Sequence, residues 1–473
     1  MMLTNEQSTD QKCDVAIIGA GTAGLSAERS ARRAGAKTLL IDERFAGTTC
    51  ASVGCMPSKL LIAAAKSAHG MRRPPAFGVH PGSVTIDGRA VMQRVRKLRD
   101  EFVASALKSI EELPDGVSVR GTAKFAGPNL LKVSDMTIQA NAIVVATGSR
   151  PIIPDIFEGI DNVLTNETIF ELDDLPASLA VVGAGPLGLE LAQAFSRLGV
   201  DVAVFDEGNA IAALKDEAVA SALQAQLEGE MPFYLGTQIH ACPVADGIQI
   251  SWSGISAGKR TFTHVLVAAG RPPNLGKLNL DAAGLELDNH GTPKFDRQTM
   301  RCGTSSIFLA GDCDADVPVL HEASTEGAIA GHNAARYPDV QPSQRSTPLA
   351  ITFTDPPSAS IGTPMTDASI VGSVDYVDQG RAKVEDRNAG ILRIYADGQG
   401  KLTGAALAIP EGEHLAHLLA WAIEVKQTAM QLLEMPIYHP TYEEGLRTAL
   451  RQICDRTNVA FSADRDEGSA PGA

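Results

Sequence analysis

The 473-residue sequence lacks several features that mark other classes of protein. No apolar run reaches the roughly 18 residues that a helix needs to span a bilayer, so we expect no membrane segment. Met1–Lys12 is polar and has neither an apolar core nor an arginine, so we expect no signal or transit peptide. Basic residues are too few to balance the acidic ones, and the net charge of −15 disfavours nucleic acid as a partner.

Cysteine is also scarce, with seven residues of which five are scattered along the chain. The other two, Cys50 and Cys55, lie in one stretch from Gly47 to Lys59. A thiolate metal site needs three or four ligands, and no third cysteine or histidine is near, so we expect no metal. Without a secretory signal, the cysteines indicate a reducing compartment, the cytoplasm, where a disulfide is usually catalytic. We therefore expect this pair to cycle between dithiol and disulfide.

The spacing of the two cysteines constrains the backbone between them. On a regular α-helix, residues five apart have Cα atoms roughly 8–9 Å from one another. A disulfide needs Cα atoms within about 7 Å. The sequence therefore predicts a tightened loop that enters a helix, with Gly54 supplying backbone freedom. A regular helix over residues 48–60 would contradict this prediction.

Residues 13–42 have the pattern of a strand, a glycine turn, a helix and a second strand. The glycines are Gly19, Gly21 and Gly24, and the second strand ends at Asp42, 23 residues after the first glycine. In such a unit the glycines let the backbone approach a pyrophosphate at the helix N-terminus, and the acid bonds a ribose.

The same pattern returns in the middle of the chain, with Gly183, Gly185 and Gly188 followed by Asp206. The acid again lies 23 residues after the first glycine. Two copies of one fingerprint imply two dinucleotide sites. An acid at position 206, with no arginine directly after it, favours NAD(H) over NADP(H).

Five shorter motifs accompany the two glycine units. They are Cys-x4-Cys-x-Pro-Ser-Lys (50–59), Ala-Thr-Gly (146–148), Gly-Arg-x-Pro-Asn (270–274), Gly-Asp (311–312) and His-Pro-Thr-x-x-Glu (439–444). In this order, and over nearly the whole chain, they resemble the flavoprotein disulfide reductases, and among these the dihydrolipoamide dehydrogenases most closely.

The resemblance implies an α/β fold with two Rossmann-like dinucleotide-binding domains and a C-terminal α+β dimerisation domain. The expected boundaries are 1–150 and 273–345 for the FAD-binding and central parts, 151–272 for the NAD-binding domain, 346–461 for the dimerisation domain and 462–473 for a flexible tail.

The resemblance also implies roles for individual residues. The first glycine unit, with Asp42 on the ribose, would hold FAD, and the second, with Asp206, would hold NAD. Cys50 would be the interchange thiol that meets substrate, and Cys55 the thiol against the flavin. Asp312 would bind the flavin ribityl chain. The other expected cofactor-binding residues are Thr147, Gly148, Gly270, Arg271, and Lys59 near the flavin N5 with its partner Glu190.

His439 would be the acid/base, contributed to the other subunit's site and oriented by Glu444. An alternative reading of Glu444 stays open, because residues 441–444 also fit a capping box in which this carboxylate closes a helix N-terminus. Thr48 stands where the family usually has glycine. A β-branched residue disfavours positive φ, so we expect the loop to differ there.

Taken together, the resemblance implies a homodimer with shared active sites that oxidises the dihydrolipoyl groups of a lipoyl-bearing protein and passes the electrons through FAD to NAD+. The acidic surface is a candidate for docking a basic domain of a 2-oxo acid dehydrogenase complex.

The alternative is an NADH-dependent reductase of another small disulfide, although Asp206 disfavours the usual NADPH preference of such enzymes. Mercuric reductase is disfavoured because no vicinal cysteine pair ends the chain, and soluble transhydrogenase because both thiols are present. A non-catalytic flavoprotein is disfavoured because Cys50, Cys55 and His439 are intact.

Overall fold

The computed structural model describes residues 10–72, 77–80 and 82–457. The flexible tail expected over 462–473 lies wholly outside these residues. The chain forms two compact units. The first takes in the described residues up to Pro57, Arg94–Ile152 and Gly270–Arg345, and the second takes in Ser58–Gln93, Ile153–Ala269 and the described residues from Ser346.

The strands of the described chain are, in order, β1 Asp10–Ile18, β2 Thr38–Asp42, β3 Ser118–Arg120, β4 Ala123–Gly127, β5 Leu130–Val133, β6 Met136–Val145, β7 Val163–Leu164, β8 Ser178–Val182, β9 Asp201–Phe205, β10 Phe233–Tyr234, β11 Thr237–Val244, β12 Gly247–Gly254, β13 Gly258–Phe262, β14 His264–Val267, β15 Ile307–Leu309, β16 Leu349–Thr352, β17 Ser358–Gly362, β18 Ile370–Asp375, β19 Ile391–Ala396 and β20 Leu402–Ala408. The α-helices are α1 Thr22–Arg33, α2 Thr49–Ser52, α3 Cys55–Arg72, α4 Gly88–Glu111, α5 Pro186–Arg197, α6 Glu217–Glu228, α7 Leu320–Arg336, α8 Gly380–Val384, α9 Gly412–Glu424, α10 Ala429–Leu433 and α11 Gly445–Thr457.

The first unit is built on a sheet of order β3-β2-β1-β6-β5-β4, with β15 added to β6. The pairs of β1 with β2 and β6, and of β6 with β15, are parallel. Alternate residues of β1 enter two separate core clusters, Ala16 and Ile18 in one and Val15 and Ile17 in the other. Both faces of the strand are therefore buried, as its unbroken apolar run predicts.

The register of this sheet brings four chain segments out at one edge. Ile18 pairs with Ile41 in β2 and with Val145 in β6, and Val145 pairs with Leu309 in β15. The glycine turn, Asp42, the Ala-Thr-Gly turn and the Gly-Asp turn therefore all follow the carboxyl ends of neighbouring strands, where α/β sheets bind ligands.

The second unit contains a parallel sheet of order β10-β9-β8-β14-β7. Val182 at the end of β8 pairs with Phe205 in β9 and Val267 in β14, so the second glycine turn and Asp206 leave the sheet together. An antiparallel sheet β11-β12-β13 packs its aromatic residues on this core, with Trp252 5.3 Å from the ring of Phe205.

The C-terminal part of the second unit is an antiparallel sheet of order β16-β17-β20-β19-β18 covered by helices. Leu392 and Leu407 from the strands and Leu446 from α11 are fully buried in one core cluster. The predicted fold class is confirmed: two parallel-sheet nucleotide folds and a mixed C-terminal domain. Among the described residues, no helix is both long and apolar enough to cross a membrane.

Candidate active site

The two cysteines of the redox stretch stand on either side of a break between helices. Cys50 lies in the four-residue helix α2, and Cys55 is the first residue of the 18-residue helix α3. Residues 48–60 therefore do not form one regular helix, as predicted, although Cys50 lies in a short helix where the sequence predicted a loop. Cys50 is half-buried and Cys55 is exposed. A helix N-terminus favours a negative charge, which suits a thiolate at position 55.

Gly54 is required by a close approach of the backbone. A Cβ added to it would lie 2.9 Å from the carbonyl oxygen of Thr49 and 3.2 Å from the Cα of Cys50. Its φ lies outside the left-handed region. We predicted that a glycine is needed at position 54 for its backbone freedom, and this reason was wrong. Glycine is needed because the chain folds back against the helix that carries Cys50.

Thr48 does not strain the loop as the sequence led us to expect. Its φ is −96° and its ψ is 147°, and the left-handed φ of +86° falls on Gly47. The Thr48 hydroxyl caps α2 by accepting the N–H of Ala51 at 3.3 Å. Threonine at this position therefore stabilises the start of the helix that bears Cys50.

The three glycines of the first glycine turn differ in how closely other backbone atoms approach them. A Cβ on Gly19 would lie 2.3 Å from the carbonyl oxygen of Ala146, and one on Gly24 would lie 1.8 Å from that of Gly19. A Cβ on Gly21 would meet nothing within 4 Å. The first and third glycines thus permit close packing, whereas the second exposes backbone at the start of α1 that a pyrophosphate can approach.

Asp42 is fixed at the end of β2 by backbone donors. Its Oδ2 accepts the N–H of Ala20 at 2.9 Å, and its Oδ1 accepts the N–H groups of Arg44 and Phe45. A carboxylate accepts about four hydrogen bonds, so capacity remains for a ribose hydroxyl.

Asp312 lies in a polar cluster at the same edge of the sheet. Its Oδ2 accepts the Ser149 hydroxyl at 2.7 Å, and Arg271 donates to the Ser149 hydroxyl and carbonyl at 3.2 and 3.0 Å. Asn274 donates to the Thr147 carbonyl at 3.2 Å. Ser149 and Asn274 have their partners more than a hundred residues away, and the sequence predictions did not include them.

The Ala-Thr-Gly turn contains an orphaned polar group. The hydroxyl oxygen of Thr147 is buried and has no hydrogen-bond partner among the described residues. Gly148 follows with a φ of +66°, and the space beside its Cα is open, because a Cβ there would meet nothing within 4 Å. Both features fit a group that the protein chain itself does not supply.

The second glycine turn repeats the first. Cβ atoms on Gly183 and Gly188 would lie 2.4 and 2.0 Å from the carbonyl oxygens of Ala268 and Gly183, and one on Gly185 would meet nothing within 4 Å. Asp206 accepts the N–H of Ala184 at 2.7 Å and that of Gly208 at 2.7 Å. These contacts fix the carboxylate at the end of β9 and leave lone pairs for ribose hydroxyls.

Lys59 and Glu190, predicted as partners, form an ion pair within the second unit. The Lys59 Nζ lies 2.7 Å from Glu190 Oε2, and the Glu190 side chain is only 5% exposed. Phe353, which the sequence predictions did not include, contacts both. Its N–H donates to Glu190 Oε1 at 2.8 Å, and its ring centroid lies 4.5 Å from the Lys59 Nζ. The ring thus adds a cation–π contact to the pair.

His439 and Glu444 are joined as predicted. His439 Nδ1 lies 2.8 Å from Glu444 Oε1, while Glu444 Oε2 accepts the N–H of Thr441 at 3.1 Å. The two alternatives for Glu444 are therefore compatible, because each oxygen serves one of them. The carboxylate is an acceptor, so Nδ1 carries the proton and Nε2 is left to take one. The His439 side chain is 54% exposed, so the imidazole ring is accessible. The Glu444 side chain, which holds the ring, is only 7% exposed.

Comparison with known protein families identifies the family of this chain. Residues 13–328 match the pyridine nucleotide-disulphide oxidoreductase family, and residues 349–450 match the dimerisation domain of the same family. The chain belongs to the pyridine nucleotide-disulphide oxidoreductases. Enzymes of this family use FAD and NAD(H), which agrees with the two glycine turns, and the dimerisation domain indicates a homodimer.

The chain is similar in sequence to relatives that are named as different enzymes. The chain is 32% identical to the dihydrolipoyl dehydrogenase of Haloferax volcanii, with 92% of this chain and 95% of the relative covered. It is 30% identical to the mercuric reductase of Acidithiobacillus ferrooxidans, with 93% and 82% covered.

Solved structures agree on the fold. LpdA from Mycobacterium tuberculosis matches with a TM-score of 0.79 at 24% identity, over 94% of this chain and 99% of that chain. The HOCl-induced flavoprotein disulfide reductase RclA from Escherichia coli matches with a TM-score of 0.79 at 19% identity, over 93% and 99%. At these identities the likeness concerns the fold alone.

The Thr48 hydroxyl cap should stabilise α2, the helix that carries Cys50. Thr48→Val keeps the shape of the side chain but removes the acceptor, which costs about 0.5–2 kcal/mol. We expect the Ala51 amide to exchange with deuterium faster by about two- to thirtyfold, whereas Thr48→Ser should exchange as the wild type does. Equal exchange in Thr48→Val and Thr48→Ser would show that the cap does not stabilise α2.

Proposed function

We propose that this oxidoreductase is a dihydrolipoamide dehydrogenase that oxidises protein-bound dihydrolipoyl groups and reduces NAD+. The single observation that carries the proposal is the Cys50–Gly54–Cys55 fold-back, in which two thiols flank a backbone contact that only glycine permits. A dithiol substrate requires such a pair, because its two electrons enter the enzyme by thiol–disulfide exchange.

The proposed reaction balances in thiols, protons and electrons. Starting from a Cys50–Cys55 disulfide, one substrate thiolate attacks Cys50 and displaces Cys55 as a thiolate. The second substrate thiol then attacks the mixed disulfide and releases Cys50, so that the substrate leaves as a cyclic disulfide and both enzyme thiols are reduced. FAD, when bound, supplies the two-electron acceptor that connects the dithiol to NAD+. Overall, the dihydrolipoyl group and NAD+ give the lipoyl group, NADH and a proton.

His439 is the proposed base of the exchange steps. An attacking thiol must lose its proton, and an imidazole accepts protons near neutral pH. The Nδ1–H bond to Glu444 directs Nε2 outward and stabilises the imidazolium that forms. We propose that this histidine serves the site of the other subunit, so that each of the two active sites of the dimer is shared. The roles of Lys59 and Glu190 beside the flavin stay predictions.

Two further observations support the choice of dihydrolipoyl groups and NAD+ as substrates. The dihydrolipoyl dehydrogenases of Haloferax volcanii and Bacillus subtilis are 32% and 29% identical to this chain over more than nine-tenths of its length. Asp206 favours NAD(H), which agrees with NAD+ as the acceptor.

The partners would be a lipoyl-bearing protein and a 2-oxo acid dehydrogenase complex in the cytoplasm. Salt-insensitive binding to such a complex would count against docking through the acidic surface.

A steady-state panel with the purified, flavin-loaded protein tests the proposal. The panel pairs dihydrolipoamide with NAD+, and glutathione disulfide with NADH or with NADPH. We expect rapid NAD+ reduction with dihydrolipoamide alone, and its loss in Cys50→Ser. Turnover of glutathione disulfide with NADH, without turnover of dihydrolipoamide, would instead favour a reductase of another small disulfide.

Changing Glu444 should impair turnover with dihydrolipoamide but not the reduction of the bound flavin by NADH. Glu444→Gln removes the charge that stabilises the imidazolium and leaves one oxygen for two donors, so we expect turnover with dihydrolipoamide to fall by roughly 10²-fold. Glu443→Gln is the matched control and should keep its activity. Reduction of the bound flavin by NADH needs no thiol base and should stay unchanged in both variants. Equal turnover in the two variants would contradict the proposed support by Glu444.

A further inference from the structure

The turn that carries His439, residues 438–445, is held by a second segment of the same unit, residues 376–385. This segment follows β18 and contains the short helix α8. Its side chains Tyr376 and Gln379 are buried. None of its residues was among those that the sequence predicted for the site.

Gln379 links the two segments through both ends of its amide. Its Nε2 donates to the carbonyl oxygen of Thr441 at 2.7 Å, and its Oε1 accepts the N–H of Ala382 at 2.8 Å, which caps α8. A side-chain amide has one acceptor oxygen and one donor nitrogen. Because the oxygen is used on α8, the nitrogen is directed at the turn.

Tyr376 holds the next carbonyl group of the turn. Its hydroxyl donates to the carbonyl oxygen of Tyr442 at 2.8 Å, and the rings of the two tyrosines stack with centroids 6.5 Å apart. Gly445 leaves room for this contact, because a Cβ there would lie 2.6 Å from the Tyr376 hydroxyl oxygen. Burial raises the pKa of the Tyr376 hydroxyl above its usual range, so the group keeps the proton that it donates.

These two bonds fix the part of the turn from which Glu444 reaches His439. Thr441 is bonded on both sides, by its carbonyl to Gln379 and by its N–H to Glu444 Oε2 at 3.1 Å. The other oxygen of Glu444 lies 2.8 Å from His439 Nδ1. Movement of Thr441 would therefore displace the N–H that holds Glu444, and with it the partner of the imidazole.

We propose that Gln379 and Tyr376 are positioning residues for the proposed base His439. By holding two successive carbonyl groups of the turn, they keep Glu444 bonded to the imidazole ring. A misplacement of about 1 Å costs up to roughly 10²-fold in rate, so bonds that fix the turn matter for turnover. This inference rests on the proposed role of His439 in thiol–disulfide exchange.

The first test compares Gln379→Met with Gln452→Met in the flavin-loaded protein. Methionine keeps the length of the side chain but offers no donor to Thr441, so we expect turnover of dihydrolipoamide with NAD+ to fall by about ten- to a hundredfold. The Gln452 amide is a matched control, because it donates to the backbone of Ser373 at 2.8 Å and accepts from it at 3.0 Å. Gln452→Met should keep its turnover. Wild-type turnover in Gln379→Met, or an equal loss in both variants, would overturn the proposal.

The loss in Gln379→Met should be confined to the thiol steps. Reduction of the bound flavin by NADH needs no thiol base, so the variant and the wild type should be reduced at the same rate. The defect should also shrink above about pH 9, where a thiol ionises without help from a base. An equal loss in flavin reduction, or a defect of constant size from about pH 7 to about pH 10, would contradict the positioning role.

A double variant separates this inference from the proposed function. If Gln379 acts through His439, then Gln379→Met should cause no further loss of turnover once His439→Gln has removed the base. Additive losses would overturn the proposal. Full turnover in the single variant His439→Gln would show instead that His439 is not the base, and the inference would fall with it.

Tyr376→Phe provides a second variant, which loses one hydroxyl and keeps the ring. We expect its turnover with dihydrolipoamide to fall, and its Thr441 amide to exchange with deuterium about two- to tenfold faster than in the wild type. Gln452→Met should exchange at that amide as the wild type does. Wild-type turnover and wild-type exchange in Tyr376→Phe would overturn the role of Tyr376.

Discussion

The close approach of Gly54 to the Thr49 carbonyl is the contact on which the proposed thiol chemistry depends. A continuous helix would hold residues 50 and 55 too far apart, and on different sides, for a disulfide. The chain avoids this by ending α2 at Ser52 and starting α3 at Cys55, with a residue between them that has no side chain. The cap from Thr48 holds the first of these helices, and the N-terminus of the second favours a thiolate at Cys55.

The nucleotide sites follow from strand register. In the parallel part of the first sheet and in the parallel sheet of the second unit, the strand before the glycine turn ends level with the strand that leads to the acid. A backbone amide of the turn therefore reaches Asp42 in one sheet and Asp206 in the other. The same edge in the first unit gathers Thr147 and Asp312. Each site therefore combines exposed turn backbone with a carboxylate that its neighbours fix before any ligand binds.

Local sequence patterns predicted the parts of the site that depend on local geometry. The glycine units, the break between Cys50 and Cys55 and the His439–Glu444 pair all lie within short segments whose spacing limits their backbone. Phe353 beside Lys59 could not be predicted in this way, because Lys59 and Glu190, which it contacts, lie far away in the sequence. Thr48 was misjudged because the positive φ falls one residue earlier, on Gly47.

The most direct measurement of the central claim is the state of the two thiols before and after reduction. The purified, flavin-loaded protein is alkylated without oxygen, digested and mapped by mass spectrometry, first as isolated and then after titration with NADH. We expect a Cys50–Cys55 disulfide at the start, and its replacement by two alkylated cysteines with the uptake of two electrons. Alkylation of Cys50 and Cys55 before any reductant is added, or a disulfide that NADH leaves intact, would contradict the account.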